Sequence, residues 1–156
     1  MCDEFDVMSM PNVTAVKRTA ELKSALCSFL AQCGASCYED ETNADILRCY
    51  SRLQNGMCVE QEIRVGDSDY VCYTNLSNDL KSVSPEETSA LVFAINRVNV
   101  QLKYGNFEFN EGKGVLRFRS FYEPGREIGP EDLDRLVGEP LWAIETYIGQ
   151  LLYADY

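Results

Sequence analysis

Apolar residues recur at a helical period from about Val13 to Cys33, through Val16, Ala20, Leu26, Cys27 and Leu30, with Phe29 adding bulk, and Gly34 stops the run. The pattern then shortens to β-rich stretches. Ser36–Asp40 precedes a turn at Glu41–Asp45, and Ile46–Leu53 leads into Gln54-Asn55-Gly56, where Asn-Gly tolerates positive φ and marks a hairpin. Cys58–Val65 alternates, with Val59, Gln61, Ile63 and Val65 on one side and Glu60, Glu62 and Arg64 on the other. After a turn at Gly66-Asp67-Ser68-Asp69, Tyr70–Leu76 completes a meander of about four strands with one solvated face.

The helical period returns at Ser84-Pro85-Glu86-Glu87. Ser84 caps, Pro85 suits the first helical position and Glu87 closes a capping box. This middle helix is predicted to run to about Lys103 or Tyr104 and to end at Gly105. A second hairpin follows, Phe107–Asn110 and Val115–Tyr122 around Glu111-Gly112-Lys113-Gly114. Gly129-Pro130-Glu131 opens a last helix along Leu133, Leu136, Val137, Leu141, Ile144, Ile148, Leu151 and Leu152, with a kink or break predicted near Gly138–Pro140. The order α-β-β-β-β-α-β-β-α predicts an α+β fold with an antiparallel sheet. Residues 1–12 read as a loosely held N-terminal segment and 13–156 as a single domain.

Composition narrows the function. The 156 residues include 14 Lys plus Arg, 25 Asp plus Glu and no histidine, for a net charge of −11. That balance argues against a nucleic-acid binder, which needs clustered cations to neutralise phosphates. Without histidine there is no Ser-His or Cys-His dyad and no His-ligated metal. No apolar run approaches the ~18 residues that span a bilayer, and Met1-Cys2-Asp3-Glu4 begins no signal peptide, so the expectation is a cytoplasmic protein with reduced thiols and no membrane insertion.

The chemical candidates give way to plainer readings. Cys2, Cys27, Cys33, Cys37, Cys49, Cys58 and Cys72 are odd in number and contain no Cys-x-x-Cys pair, so they read as small hydrophobes filling a core rather than as a metal or redox set. Asp67-x-Asp69 lacks the Gly and Glu of a calcium loop, and Gly112-x-Gly114 opens no helix. Arg117 and Arg119 share a strand face and can bind an anion, but Glu108 on the neighbouring strand is the expected cross-strand partner. Asn96 and Asn99 sit mid-helix. The plainer expectation is that one of them satisfies loop or hairpin backbone. No catalytic, cofactor or metal set is expected.

Three segments carry a family resemblance: Ala94-Ile95-Asn96-Arg97-Val98-Asn99, Tyr104-Gly105-Asn106-Phe107-Glu108-Phe109 and Gly114-Val115-Leu116-Arg117-Phe118-Arg119. They resemble the YbjN family of bacterial proteins, with its Asn-Arg-x-Asn helix, Gly-x-Phe turn and Gly-x-x-Arg-Phe-Arg strand. A Pro-Glu helix start follows in that family, as Pro130-Glu131 does here, and the element order from about Leu22 to Leu152 fits. The resemblance implies a fold like that of type III secretion chaperones, which are small, acidic, often dimeric proteins that hold a partner polypeptide. It also implies a sensory-transduction regulator, and it brings no catalytic residues. Pro140, in a helix usually continuous in the family, and the number of cysteines depart from the pattern.

Surface is what remains. At 100° per residue, Leu91, Ile95, Val98 and Leu102 form the core stripe of the middle helix, and Phe93, Arg97, Val100 and Tyr104 fall on nearly the opposite face. In the last helix Trp142 and Tyr153 lie opposite the core stripe, among Gly138, Thr146 and Gly149. Aromatics and arginine are enriched where proteins meet. The expectation is therefore a non-enzymatic protein-binding module, chaperone-like or a regulatory adaptor, acting as a homodimer and holding an unidentified client segment. The alternative is a small-molecule-sensing regulatory domain with a pocket between sheet and helices.

Overall fold

A computed structural model describes residues 13–66, 70–76, 84–122 and 129–152. The N-terminal segment 1–12 and the turn residues Asp67, Ser68 and Asp69 lie outside the described residues. Four strands, β1 (Ser36–Glu39), β2 (Ile46–Arg52), β3 (Cys58–Val65) and β4 (Tyr70–Leu76), follow helix α1 (Val13–Gln32). Helix α2 (Pro85–Asn99) leads to β5 (Asn106–Asn110) and β6 (Val115–Tyr122), and α3 (Pro130–Leu133) and α4 (Glu139–Leu152) close the chain. All strand pairs are antiparallel and the sheet order is β1-β2-β3-β4-β6-β5. Element order and sheet type follow the expectation from periodicity.

Strand alternation sends Leu47, Cys49, Val59, Ile63, Cys72, Leu116 and Phe118 to the face that the helices cover. Two apolar clusters fill that layer. In one, Leu91, Ile95 and Val98 of α2 and Ile144, Ile148 and Leu151 of α4 meet Val59, Leu76, Phe107 and Phe118. In the other, Leu22, Leu26 and Leu30 of α1 and Leu136 and Val137 meet Leu47, Ile63, Tyr70 and Cys72. Gln61, Thr74 and Ser120 are the buried polar residues of the sheet.

Pro140 explains why those polar residues are there. It has no N–H, so the Leu136 carbonyl loses its α-helical donor, and the proline ring crowds that carbonyl. The helix widens into a π-helical turn over Asp134–Gly138, between α3 and α4. Ser120 Oγ then donates to the Leu136 carbonyl at 3.1 Å, and Gln61 Nε2 donates to the Val137 carbonyl at 3.2 Å. The predicted irregularity at Gly138–Pro140 thus occurs just upstream, where the chain can relieve the proline without breaking.

Helix α2 begins as expected. Glu87 N–H donates to Ser84 Oγ and Ser84 N–H to the Glu87 carboxylate, at 3.2 and 2.7 Å. Its end does not match. The helix stops at Asn99, with Val100 as cap, four or five residues short of Lys103 or Tyr104. The Asn99 amide turns away from the helix to bond both backbone groups of Phe107, at 3.1 and 2.8 Å. Gly105 then bends the chain at φ +70°. A Cβ there would lie 2.6 Å from the Arg119 carbonyl, so the position requires glycine.

Candidate functional site

The expected surface residues separate into two places. Phe93, Arg97 and Val100 follow one another at helical spacing on the side of α2 opposite Leu91, Ile95 and Val98, and all three are exposed. Phe93 is 72% exposed and Val100 84%. Tyr104 does not continue this stripe, because α2 has ended before it. Its ring instead lies under two cations, 5.1 Å from Lys103 Nζ and 5.2 Å from the Arg135 guanidinium.

Tyr104 and Trp142, assigned by periodicity to two helices, come together. Both line a cavity of about 270 Å3 with Leu102, Lys103, Glu139 and Ala143. Trp142 is 58% exposed, its ring edge-on to Tyr147 at 6.3 Å. Thr146 and Gly149 are exposed at helical spacing beside it, while Ile144, Ile148 and Leu151 are buried. Burial pushes the Glu139 carboxyl upward, with Asp134 adding to the shift and Arg135 and Lys103 opposing it. Tyr153 lies outside the described residues.

The opposite face of the sheet carries a second surface, which periodicity indicated only as solvated. Its cavity, about 420 Å3, is lined by Tyr50, Glu60, Glu62, Arg64, Tyr73 and Arg117 among others, and so lies on the open face rather than between sheet and helices. Arg48 sits among Asp40, Glu60 and Glu62, and Glu62 also takes Arg64 at 2.7 Å. Tyr73 is held between the Arg64 and Arg117 guanidinium groups, at 5.3 and 4.3 Å. Arg117 pairs with Glu108 through Nε at 3.0 Å and its terminal nitrogen at 2.8 Å, the cross-strand pair expected from the sequence. Arg119 makes no ion pair among the described residues. These carboxylates are engaged by arginine, an arrangement that suits binding better than proton transfer.

The asparagines divide as cleanly. Asn99 ties α2 to edge strand β5, whereas Asn96 is exposed beside Arg97. Cys49 and Cys72 fill the core, and Cys33 and Cys58 are exposed. Cys33 does not meet Cys37, its neighbour in sequence. Cys37 meets Cys27 and Cys49 instead. Strand register brings Cys49 there, and register is not visible in residue spacing.

No family model matches the chain, and no curated protein matches it. Among solved structures, the crystal structure of YbjN from E. coli, a proposed transcription regulator, matches over 85% of this chain and 90% of its own at a TM-score of 0.55. The chain is similar to YbjN in fold. At 14% identity the likeness to YbjN concerns architecture alone. Four of the residues behind the sequence resemblance have a local structural task in this chain. Asn99, Gly105, Phe107 and Phe118 hold β5 against α2 and β6, with the two phenylalanine rings edge-on at 4.9 Å. Among the described residues no helix is long and apolar enough to cross a membrane.

Proposed function

We propose that the chain is a non-enzymatic protein-binding module, a regulatory adaptor of chaperone-like habit, that self-associates through the exposed face of α2. The observation that carries this reading is the Phe93–Arg97–Val100 stripe. It places two large apolar side chains in solvent on the side of the helix that the sheet does not need. Exposed apolar patches on soluble domains mark contact sites, and aromatic and arginine side chains dominate such contacts. Charge supports a second copy as the occupant. A chain of net charge −11 repels itself, but the one charged residue within the stripe is the cation Arg97. The contact therefore adds no carboxylate to that repulsion. The open sheet face is the poorer candidate for self-association, since Arg48, Arg64 and Arg117 already have carboxylate partners.

The non-enzymatic part of the reading rests on side-chain chemistry: zero histidine and arginine-bound carboxylates offer no evident nucleophile–base pair. A client of this acidic protein would be a basic or amphipathic segment, met in the cytoplasm. The resemblance to YbjN supports the regulatory part. Light scattering of the reduced protein tests self-association, with a dimer expected for the wild type and a folded monomer for Phe93→Asp. A second reading, a small-molecule sensor, draws on the 420 Å3 cavity of the open sheet face. A metabolite that raises the melting temperature of the wild type but not of Tyr73→Ala would favour it.

A further inference from the structure

Three thiols from three elements converge under the β1 edge of the sheet. Cys37 of β1 and Cys49 of β2 are directly opposite each other in the antiparallel ladder. Asp40 N–H donates to the Ile46 carbonyl, which makes that pair hydrogen-bonded, so alternation makes Cys37–Cys49 a non-hydrogen-bonded pair. Such pairs have Cα atoms about 4.5 Å apart and side chains on the same face. That spacing falls within the range of roughly 4.4–6.8 Å that a disulfide bridges. The Cys49 thiol donates to Cys37 Sγ at 3.2 Å, and Cys27 of α1 brings its own Sγ within 3.9 Å of Cys37.

Access and activation coincide at one of the three. Cys49 is fully buried, whereas Cys37 is half-buried at an edge strand and open to a small oxidant. The hydrogen bond from Cys49 holds the Cys37 thiol down at about 7, against the opposing effect of burial, and a second bond from Cys27 adds to it. Burial raises Cys27 to about 11, and the bond to Cys37 followed by burial pushes Cys49 well above the usual thiol range. The nucleophile is the thiolate, so Cys37 is the member of the cluster poised to react.

We infer that Cys37 is a peroxide-reactive thiol that closes a disulfide with Cys49, stapling edge strand β1 to β2. In the first step the Cys37 thiolate attacks one oxygen of hydrogen peroxide. The O–O bond breaks, Cys37 becomes a sulfenic acid, and hydroxide leaves and is protonated to water. In the second step Cys49 sulfur attacks Cys37 sulfur, the S–O bond breaks, and the Cys49 proton goes to the departing hydroxyl. Two thiols and one peroxide thus give one disulfide and two waters, and a dithiol reverses the change. The staple is at the β1 edge, and the α2 face lies beside β5 at the other edge. The inference therefore stands or falls apart from self-association.

The test is peptide mapping of the reduced full-length protein after one equivalent of hydrogen peroxide and alkylation of the remaining thiols. The expected result is a Cys37–Cys49 cross-linked peptide pair, reversed by dithiothreitol, with the exposed Cys33 and Cys58 still alkylated. Cys49→Ala removes the bond that activates Cys37, so peroxide should consume the Cys37 thiol several-fold more slowly in that variant than in the wild type. First oxidation at Cys33 or Cys58 would overturn the inference, because accessibility alone would then govern reactivity. A Cys27–Cys37 bridge would overturn the choice of partner. The wild-type map decides between these results even if Cys49→Ala does not fold.

Discussion

Asn99 gives two hydrogen bonds to Phe107, a residue 1% exposed, and so settles where α2 stops and where β5 lies. Asn99→Ala leaves the Phe107 N–H without its partner and the Phe107 carbonyl with only the longer bond from Asn106, and urea denaturation should show a loss of about 1–3 kcal/mol. Asn96→Ala, on the exposed face, should change stability by no more than about 0.5 kcal/mol. Gly105→Ala meets both positive φ and the Arg119 carbonyl, for a loss of at least about 1 kcal/mol in the same assay. Asp40 gives the residue scale a pH signature. The Thr42 hydroxyl, Arg48 and the Thr42 N–H all donate to its carboxylate and hold the carboxyl well below its usual range. A depressed carboxyl stabilises the fold above its unfolded value, near about 4, and that contribution is lost as pH falls below it. Asp40→Asn should therefore lower stability at neutral pH, and the difference from wild type should begin to narrow only below about pH 4 and persist, reduced, at about pH 3, measured by denaturation across that range. Residue type and spacing led only to the expectation that one of the two asparagines serves the backbone, and not to which one, because the choice depends on where β5 passes.

At the scale of elements, periodicity sufficed wherever one face of a strand or helix meets the core. The alternation of Val59, Gln61, Ile63 and Val65 against Glu60, Glu62 and Arg64 is reproduced in burial along β3. It also put Gln61 in the core without saying why a polar side chain belongs there. The reason is tertiary: Gln61 and Ser120 supply the donors that the π-helical turn before Pro140 needs. Ser120→Ala should cost about 1–3 kcal/mol by leaving the Leu136 carbonyl unpaired. In a Pro140→Ala background, where the residue 140 N–H is restored, the same substitution should cost less. A double-mutant cycle by chemical denaturation measures that coupling. Additive effects would mean that serine and proline act independently. The end of α2 was misjudged for a related reason. Apolar spacing continues through Leu102 and Tyr104, but hydrogen bonds from Asn99 to the following strand outweigh it.

For the whole molecule, one sheet has helices on one face only, which leaves two surfaces of different chemistry. On the sheet's open face, Arg64 and Arg117 flank Tyr73 with their charge already paired. The helical side exposes Phe93 and Val100, and Trp142 beside Tyr104 and its two cations. Helical periodicity found the second surface because exposure on a helix follows from angle alone. It missed that Tyr104 joins Trp142 rather than Phe93, since that depends on the turn after Asn99. The chain holds one tryptophan, so fluorescence reports on this side of the molecule without ambiguity. If the interface extends from α2 to the Trp142 cavity, acrylamide quenching should weaken as protein concentration rises, and Phe93→Asp should remove that dependence.

Sedimentation equilibrium of the reduced wild type, Phe93→Asp and Tyr73→Ala tests self-association through α2 most directly. The expected result is a dimer for the wild type and for Tyr73→Ala, with a folded monomer for Phe93→Asp. A monomeric wild type, or a dimer that survives Phe93→Asp and is lost in Tyr73→Ala, would contradict it.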